Sequence, residues 1–369
     1  MISELLESFV KPWYESLEDP ASAQLQTLLT LLNGYSRTIY GKSFGAESVT
    51  DVEGYRRAFP VTDYQSLAPY LDRVGAGEES VLLPEAVARW VMTRGTTGRP
   101  KVIPATETHL SLILTAGARA IVNFGLVKGG SVLERPVLNL NFPSELGKVD
   151  GKGPAGYSSG TYAKLNPGLG PAILVPAQEE IDALGPGIGK DDWEKRFELA
   201  YQRTKEVNIG STMGVTPVIF AFASFLRRRH GTLPKSLWKP DALFCTSVSK
   251  IHTRYEPQLR HYFGEVPVVE MYSATEGVFA QQLDDLPYVS PNYDCYFFEV
   301  KIRGELKMLH DMKRGEWGKL IVSTPLFPRY DIGDYIEAEG KGYFRVFGRA
   351  SRRAAAEHLL FNALALRRP

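Results

Sequence analysis

The chain has 369 residues, 44% hydrophobic and 23% charged, the composition of a globular protein with a sizeable core. Lys and Arg number 43 against 42 Asp and Glu, and a net charge of +1 argues against a dedicated nucleic-acid binder. Two cysteines, Cys245 and Cys295, exclude a disulfide framework or a multi-cysteine zinc site and fit a reducing compartment.

No uninterrupted apolar run approaches the roughly 20 residues of a spanning helix. The N-terminus carries Glu4 and Glu7 where a signal peptide would carry basic residues and then an apolar stretch. The expectation is a soluble cytoplasmic protein with no membrane or nucleic-acid partner.

Helical spacing of Ile2, Leu5, Leu6, Phe9 and Val10 predicts a first helix that Pro12 interrupts. The stretch AQLQTLLTLLNGYSRTIYGKSF continues as helix, with Gly34 as stop signal. VTDYQSLAPYLDRV reads as a short helix capped by Thr62 or Asp63. Strand-like segments at 88–93 and 101–106 then flank a Gly/Thr-rich turn. From 143 to 190 the text is rich in Gly and Pro and reads as loop. DDWEKRFELAYQRTKEV is an amphipathic helix starting at Asp191 or Asp192. A more buried helix, VTPVIFAFASFLRRRHG, ends in basic residues and Gly231, as suits a helix C-terminus. Beyond Asp241 come the strand candidates DALFCTS, PVVEMYS, CYFFEVKI, KLIVST and YFRVFG, with PQLRHYF as a helix between the first two. The final SRRAAAEHLLFNALALRRP is helix-prone. This pattern predicts an α/β protein with more than one sheet flanked by helices.

Three loops carry chemistry. The first is Thr93-Arg94-Gly95-Thr96-Thr97-Gly98-Arg99-Pro100-Lys101. Its glycines let the backbone approach an anion, its hydroxyls donate and Lys101 supplies charge. Its spacing is not that of a Walker A loop, and a strand follows it. Hairpin turn and phosphate loop both remain open for it. The second, Glu270-Met271-Tyr272-Ser273-Ala274-Thr275-Glu276-Gly277, offers an aromatic face, a hydroxyl and a carboxylate suited to Mg²⁺. The third is Arg329-Tyr330-Asp331-Ile332-Gly333-Asp334, whose last carboxylate has lone pairs for both hydroxyls of a ribose. Each is also readable as an ordinary strand end or turn.

Taken in order, the three loops resemble the nucleotide loops of the acyl-adenylate-forming superfamily. The nearest likeness is to the auxin-responsive (Gretchen Hagen) acyl-acid amido synthetases and their microbial relatives. FPVTDYQSLAPYLDRVGAGE before the first loop and PNYDCYFFEV after the second support it, and the likeness runs from about Phe59 to Arg349. It implies a large N-terminal adenylation domain over 1–347, followed at 348–369 by a hinge remnant and a short tail in place of most of a C-terminal domain.

The resemblance implies ATP-dependent activation of a carboxylic acid to an acyl-adenylate, with Mg²⁺, then transfer to an amine such as an amino acid. Acyl-CoA formation, as in phenylacetate–CoA ligases, is one alternative. A truncated module that binds nucleotide or acyl-adenylate without full turnover is the other. Carried over by residue, Thr93, Gly95, Thr96, Thr97, Gly98 and Lys101 would cradle the β- and γ-phosphates. Adenine would lie near Tyr272 and the backbone of Thr246, Ser247 and Val248. Thr275 would meet the α-phosphate, Glu276 would hold Mg²⁺, Asp334 would bind the ribose, and Arg349 would match the Arg near the interdomain hinge. Three departures stand out: Arg94 where the family has a small hydroxyl residue, Asp331 at a usual Arg position, and the text after Arg349, which leaves the family pattern.

Overall fold

The computed structural model describes residues 2–93, 100–166, 173–246 and 248–365. It is an α/β fold with three sheets. The largest has seven strands in the order Ser290–Pro291, Gly277–Gln281, Val268–Ala274, Ala242–Thr246, Ser211–Val215, Val137–Leu138 and Leu174–Val175. Pairing is parallel from Val268–Ala274 across to Leu174–Val175, and Gly277–Gln281 runs antiparallel to Val268–Ala274. A four-stranded sheet pairs Arg89–Met92 antiparallel with Val102–Ala105 and parallel with Lys152–Tyr157. The third sheet is antiparallel throughout, in the order Glu305–Met308, Phe297–Ile302, Trp317–Ser323, Tyr330–Gly340 and Tyr343–Arg349.

Apolar periodicity located most helices, and caps fixed their ends. Asp63 caps Tyr64–Gly75 through a reciprocal capping box with Ser66. Gly231 ends Thr216–His230 in the left-handed conformation. Pro12 does not interrupt the first helix, which runs Ile2–Glu18. The proline is exposed. Fully buried Trp13 anchors the same turn by donating its indole N–H to the Pro291 carbonyl at 3.0 Å, and this tertiary contact outweighs the local break. Gly34 lies one residue inside the second helix, Pro20–Tyr35.

The 143–190 region holds more regular structure than its glycine and proline content predicts. Strands Gly147–Val149 and Lys152–Tyr157 and helices Ser158–Leu165 and Gln178–Asp182 lie within it. Sheet pairing compensates for weak local propensity. The 22-residue helix Glu107–Lys128 is long and apolar enough to cross a membrane by composition alone. Scattered Thr, Gly and Arg119 hide that from a search for uninterrupted runs. Here it packs as a core helix against Val268–Ala274 and Gly277–Gln281, with Arg119 fully buried on Asp294.

The last strand ends at Arg349, and the tail forms helix Arg352–Ala365. His358 of that helix stacks on Phe347 at 4.0 Å between centroids and edge-on against Trp317 at 5.3 Å.

Candidate active site

Ligand sites in open parallel sheets form beyond the C-terminal ends of the strands, and the second loop stands there. Strands Val268–Ala274 and Gly277–Gln281 pair with Ala274 opposite Gly277, so Thr275 and Glu276 are the two residues of a tight hairpin turn. Both are buried. Tyr162 donates its hydroxyl to the Thr275 carbonyl at 2.9 Å.

Glu276 faces the stem of the first loop, with Lys101 Nζ 3.6 Å from its carboxylate. The same ammonium donates to the Tyr330 hydroxyl at 2.8 Å and stands 5.3 and 5.7 Å from the Tyr330 and Tyr64 ring centroids. Burial, with the Glu276 charge second, pushes the Tyr330 phenol above its usual range, so it stays protonated. The stem closes by Thr93 N donating to Lys101 O at 2.9 Å and Lys101 N donating to Thr93 Oγ1 at 2.8 Å. Both open readings of this loop are therefore compatible at its base: it is a hairpin that presents a lysine. Arg94, Gly95, Thr96, Thr97 and Gly98 lie outside the described residues.

The third loop joins the same cluster. Gly333 takes φ +80°, a conformation glycine adopts without strain, and turns the chain so that Asp334 points inward. Tyr272 donates its hydroxyl to Asp334 Oδ2 at 2.8 Å. Arg349 Nη1 lies 3.3 Å from Asp334 Oδ1 and donates to the Ile332 carbonyl at 2.9 Å. Burial raises the Asp334 carboxyl pKa, opposed first by the Arg349 charge and then by the Tyr272 hydroxyl. The Tyr272 ring packs on Phe279 and Phe344. Asp331 serves the loop itself: it accepts from Gly333 N at 2.9 Å and pairs with Lys319 at 3.2 Å. A parallel bridge between Thr62 and Tyr330 ties the VTDYQ segment to this loop.

Thr246 ends its strand with its hydroxyl bonded to Ser273 and its carbonyl accepting from Thr216 at 2.9 Å. Val248 packs partly buried against the core, and Ser247 lies outside the described residues. The structure thus brings Thr93, Lys101, Thr275, Glu276, Tyr272, Asp334 and Arg349 together with Thr246 close by. Sequence reasoning gave no role to Tyr64, Tyr162 or Tyr330. Tyr330 stood inside a quoted motif, but its bond to Lys101 spans 229 residues of chain and leaves no local signal. A cavity of about 680 Å³ lined by Thr27, Glu85, Thr108 and Asp294 includes none of the loop residues.

Residues 10–182 match the family model described as the GH3 family N-terminal domain. The N-terminal part of the chain is thus similar to that family domain. Indole-3-acetic acid-amido synthetase GH3.3 of Arabidopsis thaliana is 23% identical to this chain over 86% of it and 64% of the relative. Jasmonoyl–L-amino acid synthetase JAR4 of Nicotiana attenuata is 26% identical over 90% of the chain and 69% of the relative. The chain therefore spans 64% and 69% of the length of these relatives. In fold it matches the AtGH3.15 acyl acid amido synthetase in complex with 2,4-DB, with TM-score 0.75 and 15% identity over 95% of this chain and 71% of that one. It also matches 2-hydroxyisobutyryl-CoA ligase in complex with 2-HIB-AMP and CoA, with TM-score 0.65 and 15% identity over 91% and 69%. The fold is that of acyl-adenylate-forming enzymes.

Proposed function

We propose that this chain activates a small carboxylic acid with ATP, forming an acyl-adenylate and releasing pyrophosphate, and that an amine such as an amino acid then displaces AMP to give an amide. The observation that carries this reading is how the three distant loops interlock: Lys101 of the first pairs with Glu276 of the second and bonds Tyr330 of the third, while Tyr272 of the second bonds Asp334 of the third, which also pairs with Arg349.

In the first step a substrate carboxylate oxygen bonds to the α-phosphorus while the bond to the pyrophosphate oxygen breaks. The demand is to hold two anions together and stabilise charge at phosphorus, which oriented donors and cations meet. Lys101 supplies fixed charge beside Glu276. Thr275 offers its hydroxyl at the turn. Asp334 accepts the ribose hydroxyls, with Arg349 favouring its charged form and Tyr272 fixing its orientation.

Glu276 would hold Mg²⁺, which neutralises phosphate charge when bound. Mg²⁺ is commonly held by one or two carboxylates plus substrate phosphates and water. A lone glutamate fits that habit, since no group of three or more potential ligands gathers among the described residues.

The test is acid-dependent ATP–pyrophosphate exchange with Mg²⁺ over a panel of aryl and aliphatic acids. Exchange with some acids supports adenylation and identifies the acid class. ATP binding without exchange favours a nucleotide-binding module, and absence of ATP binding overturns the reading. The names of the relatives favour an amine acceptor, whereas the fold is equally that of a CoA ligase. Assaying amide against thioester product separates the two.

A further inference from the structure

The third loop of the site is tied to the tail of the chain. Asp334 and Arg349 stand opposite each other across strands Tyr330–Gly340 and Tyr343–Arg349. Immediately beyond, Ala350 N donates to the Gly333 carbonyl at 2.9 Å. Ser351 then opens helix Arg352–Ala365, its hydroxyl accepting from Ala354 N at 3.1 Å.

Beside the Asp334–Arg349 pair the ladder is irregular. Tyr335 faces Gly348 and Ile336 faces Val346, so Phe347 is an extra residue on its strand. Such bulges interrupt the pairing and re-aim side chains. The Phe347 ring stacks on Tyr335 at 5.6 Å between centroids and 14°, and on His358 of the tail helix at 4.0 Å and 12°. Trp317 closes the cluster edge-on, 5.7 Å from Phe347 and 5.3 Å from His358. His358 Nε2 lies 3.6 Å from Glu337 on the same sheet.

His358 is buried, whereas Arg352, Arg353, Ala356, Glu357 and Leu359 of the same helix are exposed. A short helix is marginal in water without tertiary packing, so this ring is what seats it. Glu357 stands 4.0 Å from Lys250, which follows the segment assigned to adenine. That exposed pair adds little stability, but it shows that the helix lies against both the ribose loop and the adenine segment.

We propose that His358 is a positioning residue for nucleotide binding: by stacking on Phe347 it pins the tail helix over the bulge and holds Asp334 and Arg349 in register for the ribose hydroxyls. A carboxylate that must accept two hydroxyls at once loses affinity when its strand shifts, because hydrogen bonds weaken steeply with misalignment. This rests on the ribose role of Asp334 for its consequence in binding, but not for the brace itself.

The experiment compares the full chain with His358→Ala and His358→Phe by two readouts. The first is hydrogen–deuterium exchange, without ligand, of peptides spanning residues 331–336 and 345–350. The second is calorimetric binding of ATP and of 2′,3′-dideoxy-ATP, which lacks the ribose hydroxyls. The alanine variant should exchange both peptides faster and bind ATP about three- to tenfold more weakly, the size of one aromatic pair. Binding of 2′,3′-dideoxy-ATP should weaken by less than about twofold, so the preference for ATP narrows, as it must if His358 and the ribose hydroxyls act through one group. KM for ATP should rise in step, with kcat for pyrophosphate exchange unchanged. Phenylalanine keeps a flat ring on Phe347 and should restore most of each loss. Parental hydrogen exchange in the alanine variant overturns the proposal, as does equal weakening of the two nucleotides or failure of phenylalanine to rescue. Should the alanine variant not fold, Ala355→Pro breaks the tail helix and leaves the sheet residues unaltered; faster exchange with a narrowed preference supports the brace, and neither overturns it. If the parent binds ATP and its dideoxy analogue equally, the ribose role of Asp334 falls, and the hydrogen-exchange comparison still decides whether His358 braces the pair.

Discussion

Arg329 and Tyr330 are neighbours in sequence and belong to two opposite kinds of charge network. Arg329 is buried, bonds Glu299 through Nε at 2.9 Å, and donates to the Phe59 carbonyl at 2.6 Å. Arg56 reaches the same fully buried Glu299 at 2.9 Å. Arg329 takes φ +45°, a conformation strained for a residue with a side chain, and these bonds hold it there. One residue later, Tyr330 turns the other way and joins Lys101 and Glu276. There the ion pair is longer, at 3.6 Å, and Lys101 is 35% exposed. The closed network pairs both arginines with the buried Glu299 carboxylate and locks the loop. The open one leaves charge unspent, which is what a site for an incoming anion and cation requires.

The contrast yields tests in order of expected size. Arg329→Met should remove about 3 kcal/mol of stability by leaving buried Glu299 with Arg56 alone, read as the midpoint of urea unfolding; an unchanged midpoint would erase the distinction. Glu276→Ala should instead leave the midpoint near the parent's and lower pyrophosphate exchange by about 10²–10³-fold. Full activity in that variant would count heavily against the metal role. Lys101→Met should cost about 10–10²-fold in the same assay, with the loss in kcat rather than in folding.

Tyr272→Phe removes one hydrogen bond to Asp334 and should raise KM for ATP by about two- to tenfold. A further effect concerns pH. Burial raises the Glu270 carboxyl to about 8, above the ordinary value of about 4.3 it regains on unfolding. Between those values the folded state holds a proton that the unfolded state has lost, so this group's stabilisation is present at low pH and lost as pH rises through about 8. Glu270→Gln cannot titrate, and its melting temperature should fall less than the parent's between pH 5 and pH 8.

Much of the fold was legible before any coordinates. Helix Lys190–Thr204 and strands such as Ala242–Thr246 and Val268–Ala274 follow from periodicity and caps. Strand Ser211–Val215, reading STMGV, and the two-residue strand Val137–Leu138 gave no pattern long enough to count, although both sit inside the main sheet. Pro12 misled because a local rule was overruled by a distant anchor at Pro291.

The amino-acid sequence by itself determined the α/β class, the chain order of the three loops and the residue types they offer. Those are local properties: hydroxyls, glycines and carboxylates at fixed spacing. Only the tertiary structure decided that Asp331 stabilises its own loop while Asp334 faces Tyr272 and Arg349, that Arg329 is structural while Tyr330 bonds Lys101, and that Tyr162 bonds the Thr275 carbonyl. Each depends on which way one side chain turns and on partners tens to hundreds of residues away. Packing sets those directions, and a linear pattern of residues does not encode them.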